Sequence, residues 1–541
     1  MSIRCLALSL ILLGLAVTGS SAHEPENSQQ YLELDEAAVG SVRFATSCAA
    51  EIEPLFNRGI ALLHSFWFAA AISTFDEVLK TDPECVMAEW GKAMAHWGNP
   101  LGNNRGKDLL KLGAEAVERA RAMPGGTARE REYVEAVATL YEDFENTPDK
   151  SRSKAFDKAM EQLVNHYPDD SEAAIFFAMA LNGSADLTDK SYAQPLRAAK
   201  ILEAAFEAEP NHPGIAHYII HSYDVPSLAM HALPAAQQYA GIAPAAPHAL
   251  HMPSHTFTRL GYWQESIDTN QRSAKAAMAA DSPAEALHAI DYMVYAYLQT
   301  AQDKAAAVEV SRSAEIFEQV ADQDRYRVAG AFAAAAVPTR YALERGDWNA
   351  ATKIATVESS VPFINAMVHL AHGVGAARSG DVATARAALA ELKAAEEKLS
   401  KNVYWAGRVK IQRKVVEGWT LFAAGDQDSA LKVMKQARDL ERGSEKSAIS
   451  PGPIAPAREQ VGELLSAMNR AEDALHAFEE AIEKEAGRFR GLFGAGVAAD
   501  AAGKPDKARE YFSRLLKMCD NGDGDREELR VASVYLKQVL N

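Results

Sequence analysis

Most of the short motifs that announce a chemistry are missing from this chain. It has no GxxxxGK[ST] phosphate loop, no GxGxxG after a strand, no HExxH, no CxxCH and no GxSxG elbow. The usual signatures of nucleotide binding, zincin proteolysis, haem attachment and serine hydrolysis are therefore absent. Ser254 stands beside His255, but adjacency in sequence does not make a nucleophile and a base meet. Positive charge is also in deficit: 56 Lys and Arg stand against 73 Asp and Glu, a net charge of −17. With no basic stripe interleaved with aromatics, such a surface repels phosphate backbones, which excludes nucleic acid as a partner. Segments of alternating hydrophobicity are missing too, so no sheet is expected. A hydrophobic content of 48% with 24% charged residues excludes wholesale disorder. At 541 residues the chain is too long for one compact core, which leaves several domains or a repeat array.

Long apolar runs are scarce, with one exception at the N-terminus. Arg4 precedes an apolar stretch from Leu6 to Val17, followed by small residues ending Ser20-Ser21-Ala22. A basic start, a short apolar run and a small-x-small site describe a secretory signal peptide over 1–22. The run falls short of the roughly 20 apolar residues that span a bilayer, so no membrane span is expected after its removal. Export makes the mature protein periplasmic or secreted and permits disulfides. Residues 1–22 contain one charge, Arg4, so the mature charge is −17 − 1 = −18. Cys48, Cys85 and Cys519 remain. Cys48 precedes the first clear repeat and Cys85 opens the next, so a Cys48–Cys85 bridge is expected, with buried free thiols as the alternative. Cys519 is left over as an inert thiol.

A period then organises the chain. Gly59, Ala71, Phe75, Val78 and Pro83 fall at relative offsets 0, 12, 16, 19 and 24. The first four offsets recur as Gly462, Ala474, Phe478 and Ala481, and as Gly496, Ala508, Phe512 and Leu515. Small residues let two antiparallel helices approach, the large one fills the gap, and the proline closes the second helix. Pro210 and Pro244 lie 34 residues apart. Turns of the form Leu260-Gly261-Tyr262, Arg345-Gly346-Asp347, Ser379-Gly380-Asp381, Ala424-Gly425-Asp426 and Ala502-Gly503-Lys504 separate apolar-periodic segments.

On these residues the chain resembles the tetratricopeptide repeat family over most of 55–540. The resemblance implies an all-α solenoid of about ten helix pairs in a right-handed superhelix. Residues 23–54 would be a lead-in and 55–442 the main array, with an inserted loop near 99–126. Residues 443–456, containing Ser450-Pro451-Gly452-Pro453, would form a loop or hinge before a C-terminal repeat pair and capping helix over 457–541. The acidic run Asp520 to Asp525 invites a calcium loop, but Cys519 stands where the first Asp belongs and Arg530 where the bidentate Glu belongs. A solvated turn is expected there. The strings Leu62-Leu63-His64-Ser65-Phe66-Trp67, His217-Tyr-Ile-Ile-His221 and His251-Met-Pro-Ser-His255 look like a subgroup of bacterial exported tetratricopeptide proteins, which implies architecture and export but no reaction.

The histidines are the functional lead. Of 15 in the chain, seven fall between His212 and His255, where an even spread would put about one. His217 and His221 are i,i+4 neighbours on one helix face, as are His251 and His255, and one 34-residue repeat separates the pairs. Stacked repeats would gather these four imidazoles into a square patch. The family's concave positions add Asp224, His248, His288, Asp291 and Tyr295, giving a His-lined groove over 212–295. Imidazoles with carboxylates suit iron, copper or zinc, as one ion or two, with Tyr218, Tyr223 and Tyr292 around them. The alternatives are a structural ladder of neutral histidines and a groove for a protein or small-molecule ligand. His64 and His96, with Trp67, Trp90 and Trp97 nearby, form a weaker pair one repeat apart.

Overall fold

Helices follow one another in antiparallel pairs throughout the computed structural model, which describes residues 31–102, 105–319, 328–443 and 445–540. No strand occurs among these residues. Twelve successive pairs can be traced, from Glu53–His64 with Phe68–Thr81 to Phe489–Ala501 with Pro505–Met518, and Glu527–Leu540 closes the array. This is the all-α repeat architecture expected, with two more pairs than the sequence count. The signal-peptide reading of 1–22 lies outside the described residues. No helix among the described residues is long and apolar enough to cross a membrane.

The repeat signature has a direct mechanical cause. The Phe75 ring is wedged between the first helices of two successive pairs. A Cβ on Gly59 would lie 2.6 Å from that ring, and one on Gly91 would lie 2.5 Å away. Phe478 is wedged in the same way between Gly462 and Gly494, and Phe512 meets Gly496. Any larger residue at these glycines would push the helices apart, so glycine here serves close approach. The turns within pairs obey a second rule. Gly346, Gly380 and Gly425 all adopt positive φ, ending one helix. The aspartate that follows each of them caps the next helix by accepting from Ala350, Thr384 and Ser429 backbone N–H groups.

Two segments differ from expectation. Residues 99–126 are not an insertion, because the helix Lys107–Ala122 packs on Val86–Trp97 as the second helix of its own pair. In place of the expected 443–456 hinge, residues 445–456 form a strap laid across distant repeats. Glu445 pairs with Lys190 at 2.6 Å and accepts from the Tyr192 hydroxyl, and its N–H donates to the Leu187 carbonyl. Lys446 reaches Asp224, the Tyr292 hydroxyl donates to the Ala448 and Ser450 carbonyls, and Arg340 donates to the Ser450 hydroxyl. The C-terminal pairs also return to the middle of the chain, where the Trp263 indole donates to Gly487 O at 3.1 Å and Arg526 pairs with Asp303.

The cysteines behave as expected. Cys48 and Cys85 are bonded, tying the lead-in to the start of the helix Val86–Trp97. Cys519 is buried, and burial pushes its thiol up to about 12, which makes it a poor nucleophile. The Asp520 to Asp525 turn binds the chain itself: Asp523 accepts from the Lys304 and Ala305 backbone N–H groups at the start of the helix Asp303–Gln319.

Candidate metal centre

Four helical segments, three of them short, carry the histidines inward. His217 and His221 lie on Pro213–Ser222, His248 and His251 on Pro247–His251, His255 on Pro253–Leu260, and His288 on Pro283–Gln299. Pro253 breaks the middle helix at Met252, yet His251 and His255 still face each other across the break. The expected square of four imidazoles is instead two triads. His217, His221 and His248 form one, and His251, His255 and His288 the other, with nitrogens within 4.8 Å of one another in each. The triads abut, since the His221 and His255 rings are 5.9 Å apart and those of His248 and His251 are 6.0 Å apart. Each triad therefore joins an i,i+4 pair to a third ring from a helix further along the chain. An aromatic ring covers each: Phe66 packs on His217, His221 and His248, and Tyr292 on His251, His255 and His288.

Hydrogen bonding fixes where the lone pairs point. The Asn270 side-chain N–H donates to Ser266 O, which leaves its Oδ1 as an acceptor 2.7 Å from His251 Nδ1. His251 Nδ1 must then carry the proton. His255 Nδ1 faces Asp224 Oδ2 at 3.0 Å, His217 Nδ1 faces the His64 carbonyl at 2.7 Å, and His248 Nδ1 faces Glu285 at 3.4 Å. With acceptors behind all four Nδ1 atoms, each neutral ring keeps a bare Nε2. The Nε2 atoms of His251 and His255 meet at 3.1 Å, as do those of His217 and His221. His248 Nε2 is buried with no hydrogen-bond partner among the described residues. Between His251 and His255 no proton is available, so two lone pairs confront each other.

Protonation would relieve that repulsion, but burial opposes it. Burial first, and then neighbouring imidazoles, holds His217, His221 and His251 well below the ordinary histidine range. Burial lowers His255 to about 4 despite Asp224, and His288 to about 3 despite Glu285. Asp224 brings a carboxylate to the centre from behind His255. Burial alone would raise it, but Lys446 and Arg259 hold it well below its usual value. Lys446 is in turn lowered to about 8 by burial, against the pull of Asp224.

The depressed histidines set an acid limit. In the unfolded chain they accept protons near pH 6.5, while in the fold they do not, so acidification favours unfolding. Each such imidazole costs about 1.4 kcal/mol per pH unit between pH 6.5 and its folded value. Burial also raises five carboxylates, Glu459 to about 7 together with Asp157, Asp291, Glu309 and Glu441, which work in the opposite direction against eight histidines lowered by burial. Chelator-treated protein should show a urea midpoint that is level from pH 8 to 7 and falls steeply from 6.5 to 4. A midpoint unchanged across that range would mean that the histidines are not held neutral.

Other residues expected at the site lie elsewhere. Asp291 is bound to Arg340 at 2.7 Å, so its carboxylate serves a buried ion pair and is not a ligand. Asp224 orients His255 from behind. Tyr295 accepts from Arg488 at 2.8 Å, and Tyr223 donates to Glu203. His64 and His96 do not pair. His96 sits beside Lys92 and Arg119, whereas His64 joins a closed triad with Glu172 and His212. There Gly214 N–H donates to His212 Nδ1, and both His64 and His212 turn Nε2 to Glu172, at 3.0 and 2.9 Å. Tyr218 completes it on His64 Nδ1 at 2.9 Å. Burial would raise Glu172, but His212 and His64 hold it down to about 2, and all four ring nitrogens of the two histidines are hydrogen-bonded. Sequence reading missed Glu172, Asn270, Glu285 and Lys446. Proximity in the chain offered a signal for Asn270, on the helix directly after the His251/His255 pair, and for Glu285, three residues before His288 on its own helix, but none for Glu172 or Lys446.

Residues 462–525 match the tetratricopeptide repeat family. A comparison with curated proteins finds no match. Among solved structures, a chain of the APC/C hetero-tetramer Cut9–Hcn1 is similar at 13% identity, with 90% of each chain covered and a TM-score of 0.35.

Proposed function

We propose that this chain, a tetratricopeptide-repeat protein by its helix pairs and its family match, is a metal-binding protein whose histidine triads hold two transition-metal ions. One observation carries the reading: buried, bare Nε2 atoms converge on one another while acceptors hold their Nδ1 protons in place. That outer arrangement is how metal-ligating histidines are oriented. A cation between His251 and His255 turns a repulsive contact into an attractive one. With metal–nitrogen bonds of roughly 2.0–2.1 Å, a 3.1 Å separation gives an angle of about 98° at the metal. The donor set is neutral and all-nitrogen, with no carboxylate or thiolate among the converging atoms. Copper, at the top of the affinity order and well served by imidazole, fits it best, ahead of zinc and iron. The rigid helical frame and the aromatic covers suit a metal kept for chemistry rather than handed on.

The leader-like residues 1–22 and the Cys48–Cys85 bond support work outside the cytoplasm. Repeat arrays commonly bind protein partners along their concave face. An open groove over 212–295 has less support here, because the strap from Glu445 to Gly452 already lies against Asp224, Tyr292 and Tyr295.

The test is elemental analysis of protein purified without a metal-affinity tag, beside a His217→Ala/His251→Ala variant that removes one ligand from each triad. The expected result is close to two metal ions per chain, with copper leading, and almost none in the variant. No metal in either sample, together with a less stable variant, would falsify the proposal and leave the histidines as a structural ladder.

A further inference from the structure

A cleft of about 480 Å³, counting its open mouth, lies on the far side of the strap from the histidines. Its floor is aromatic. Phe363 and Trp405 stack with centroids 3.8 Å apart and planes within 9°, and Phe332 packs against both. Its side is the helix Val403–Ala423, which presents Trp405, Arg408 and Gln412 at i, i+3 and i+7 on one face. The strap forms the opposite wall with Ser450 and the stem of Lys446, whose amine is committed to Asp224 at 3.0 Å.

Two polar groups in this cleft have nothing to do within the fold. Arg408 makes no ion pair or hydrogen bond among the described residues, although its charge reaches Tyr404 and Glu441. Glu441 is already occupied by Arg458 and by the backbone N–H groups that open the next helix. Gln412 Oε1 is buried and has no hydrogen-bond partner among the described residues. An orphaned acceptor in a cleft wall is costly unless something donates to it. A cation, an acceptor one helical turn away and a flat aromatic surface make up one recognition pattern.

We infer that this cleft binds a small aromatic carboxylate carrying a hydroxyl. The carboxylate pairs with Arg408, the ring lies on the Trp405 and Phe363 surface, and the hydroxyl donates to Gln412 Oε1. Arg is suited to this role because its planar fork meets a carboxylate with two parallel bonds. One cation, one acceptor and a flat aromatic floor, close together on one helix face, suit a single-ring acid better than a partner helix about 10 Å across. The site stands apart from the metal centre, since none of the six triad histidines lines it.

The probe is 4-hydroxybenzoate, followed by calorimetry and by quenching of tryptophan fluorescence. Its comparators are 4-hydroxybenzamide, which lacks the charge, and benzoate, which lacks the donor. Binding should be one to one, with the amide and the Arg408→Gln variant each weakened about 10- to 100-fold, as loss of a charge-assisted bond requires. Gln412→Leu should weaken 4-hydroxybenzoate several-fold and leave benzoate unchanged. Wild-type affinity should persist in the His217→Ala/His251→Ala variant, which separates this cleft from the fate of the metal proposal. Equal binding of acid and amide, undiminished binding by Arg408→Gln, or no binding up to about 5 mM would each overturn it.

Discussion

An Asp224→Ala variant is expected to lose about 3–5 kcal/mol of stability and to be cut by trypsin after Lys446. Among the described residues Asp224 alone meets Lys446, Arg259 and His255 together, at 3.0 Å from each. Both cationic side chains are almost fully buried, so removing their counter-ion strands two charges where water cannot reach them. Lys446 answers first, because burial already holds it near 8 and the loss of Asp224 lets it discharge at neutral pH. The strap then loses its central anchor. In the native protein Lys446 is hidden from protease, so cleavage there reads strap release directly, while a denaturation curve reads the global loss. His255 also loses the acceptor that fixes its Nδ1 proton, and metal affinity should fall about 10- to 100-fold. A variant that resists trypsin and melts within about 2 °C of the parent would show that Asp224 does not tie these parts together.

Arg488→Met should be comparably costly, at about 3–5 kcal/mol near pH 8, with a different pH signature. Arg488 is buried between Glu344 and Glu459, donating to Glu459 at 2.6 Å and to the Tyr295 hydroxyl at 2.8 Å. Even with Arg488 in place, burial and then the neighbouring Glu344 outweigh it and lift Glu459 to about 7. Without the guanidinium both carboxylates are left facing each other in a dry interior. Glu459, already raised by burial, is raised further above its unfolded value, so the penalty is greatest above its folded value and shrinks as pH falls through it. The difference between variant and parent should narrow markedly from pH 8 to pH 5, and Glu459→Gln added to Arg488→Met should recover part of the loss. A difference constant with pH would assign the cost to lost packing.

Architecture was legible because its cause is local. Gly59, Gly462 and Gly496 stand 16 residues before the phenylalanines that touch them, so helix contact is written at a fixed spacing. The four histidines of the two i,i+4 pairs were found for a related reason, since pairs repeated after 34 residues must stack, while His248 and His288 followed from the concave register of the family. Their grouping was not legible. The break at Pro253 and the differing lengths of the intervening helices decide that His248 joins the earlier pair and His288 the later. Asp291 and Asp224 looked alike on register, yet Arg340, 49 residues away, captures the first, and the strap, 222 residues away, engages the second. Contacts at such separations leave no periodic trace, which is why 443–456 reads as a hinge in the sequence.

The strap bears on how the whole molecule comes apart. A simple array couples each unit only to its neighbours, so it frays from its ends and melts in stages. Here Glu445 grips residues 187–192, Arg488 grips Tyr295 and Arg526 grips Asp303, turning a line into a set of closed loops. Peeling one end then requires breaking contacts in the middle. Such circuits trade gradual loosening for all-or-none collapse, and they give a long, slender chain the cooperativity of a single globule.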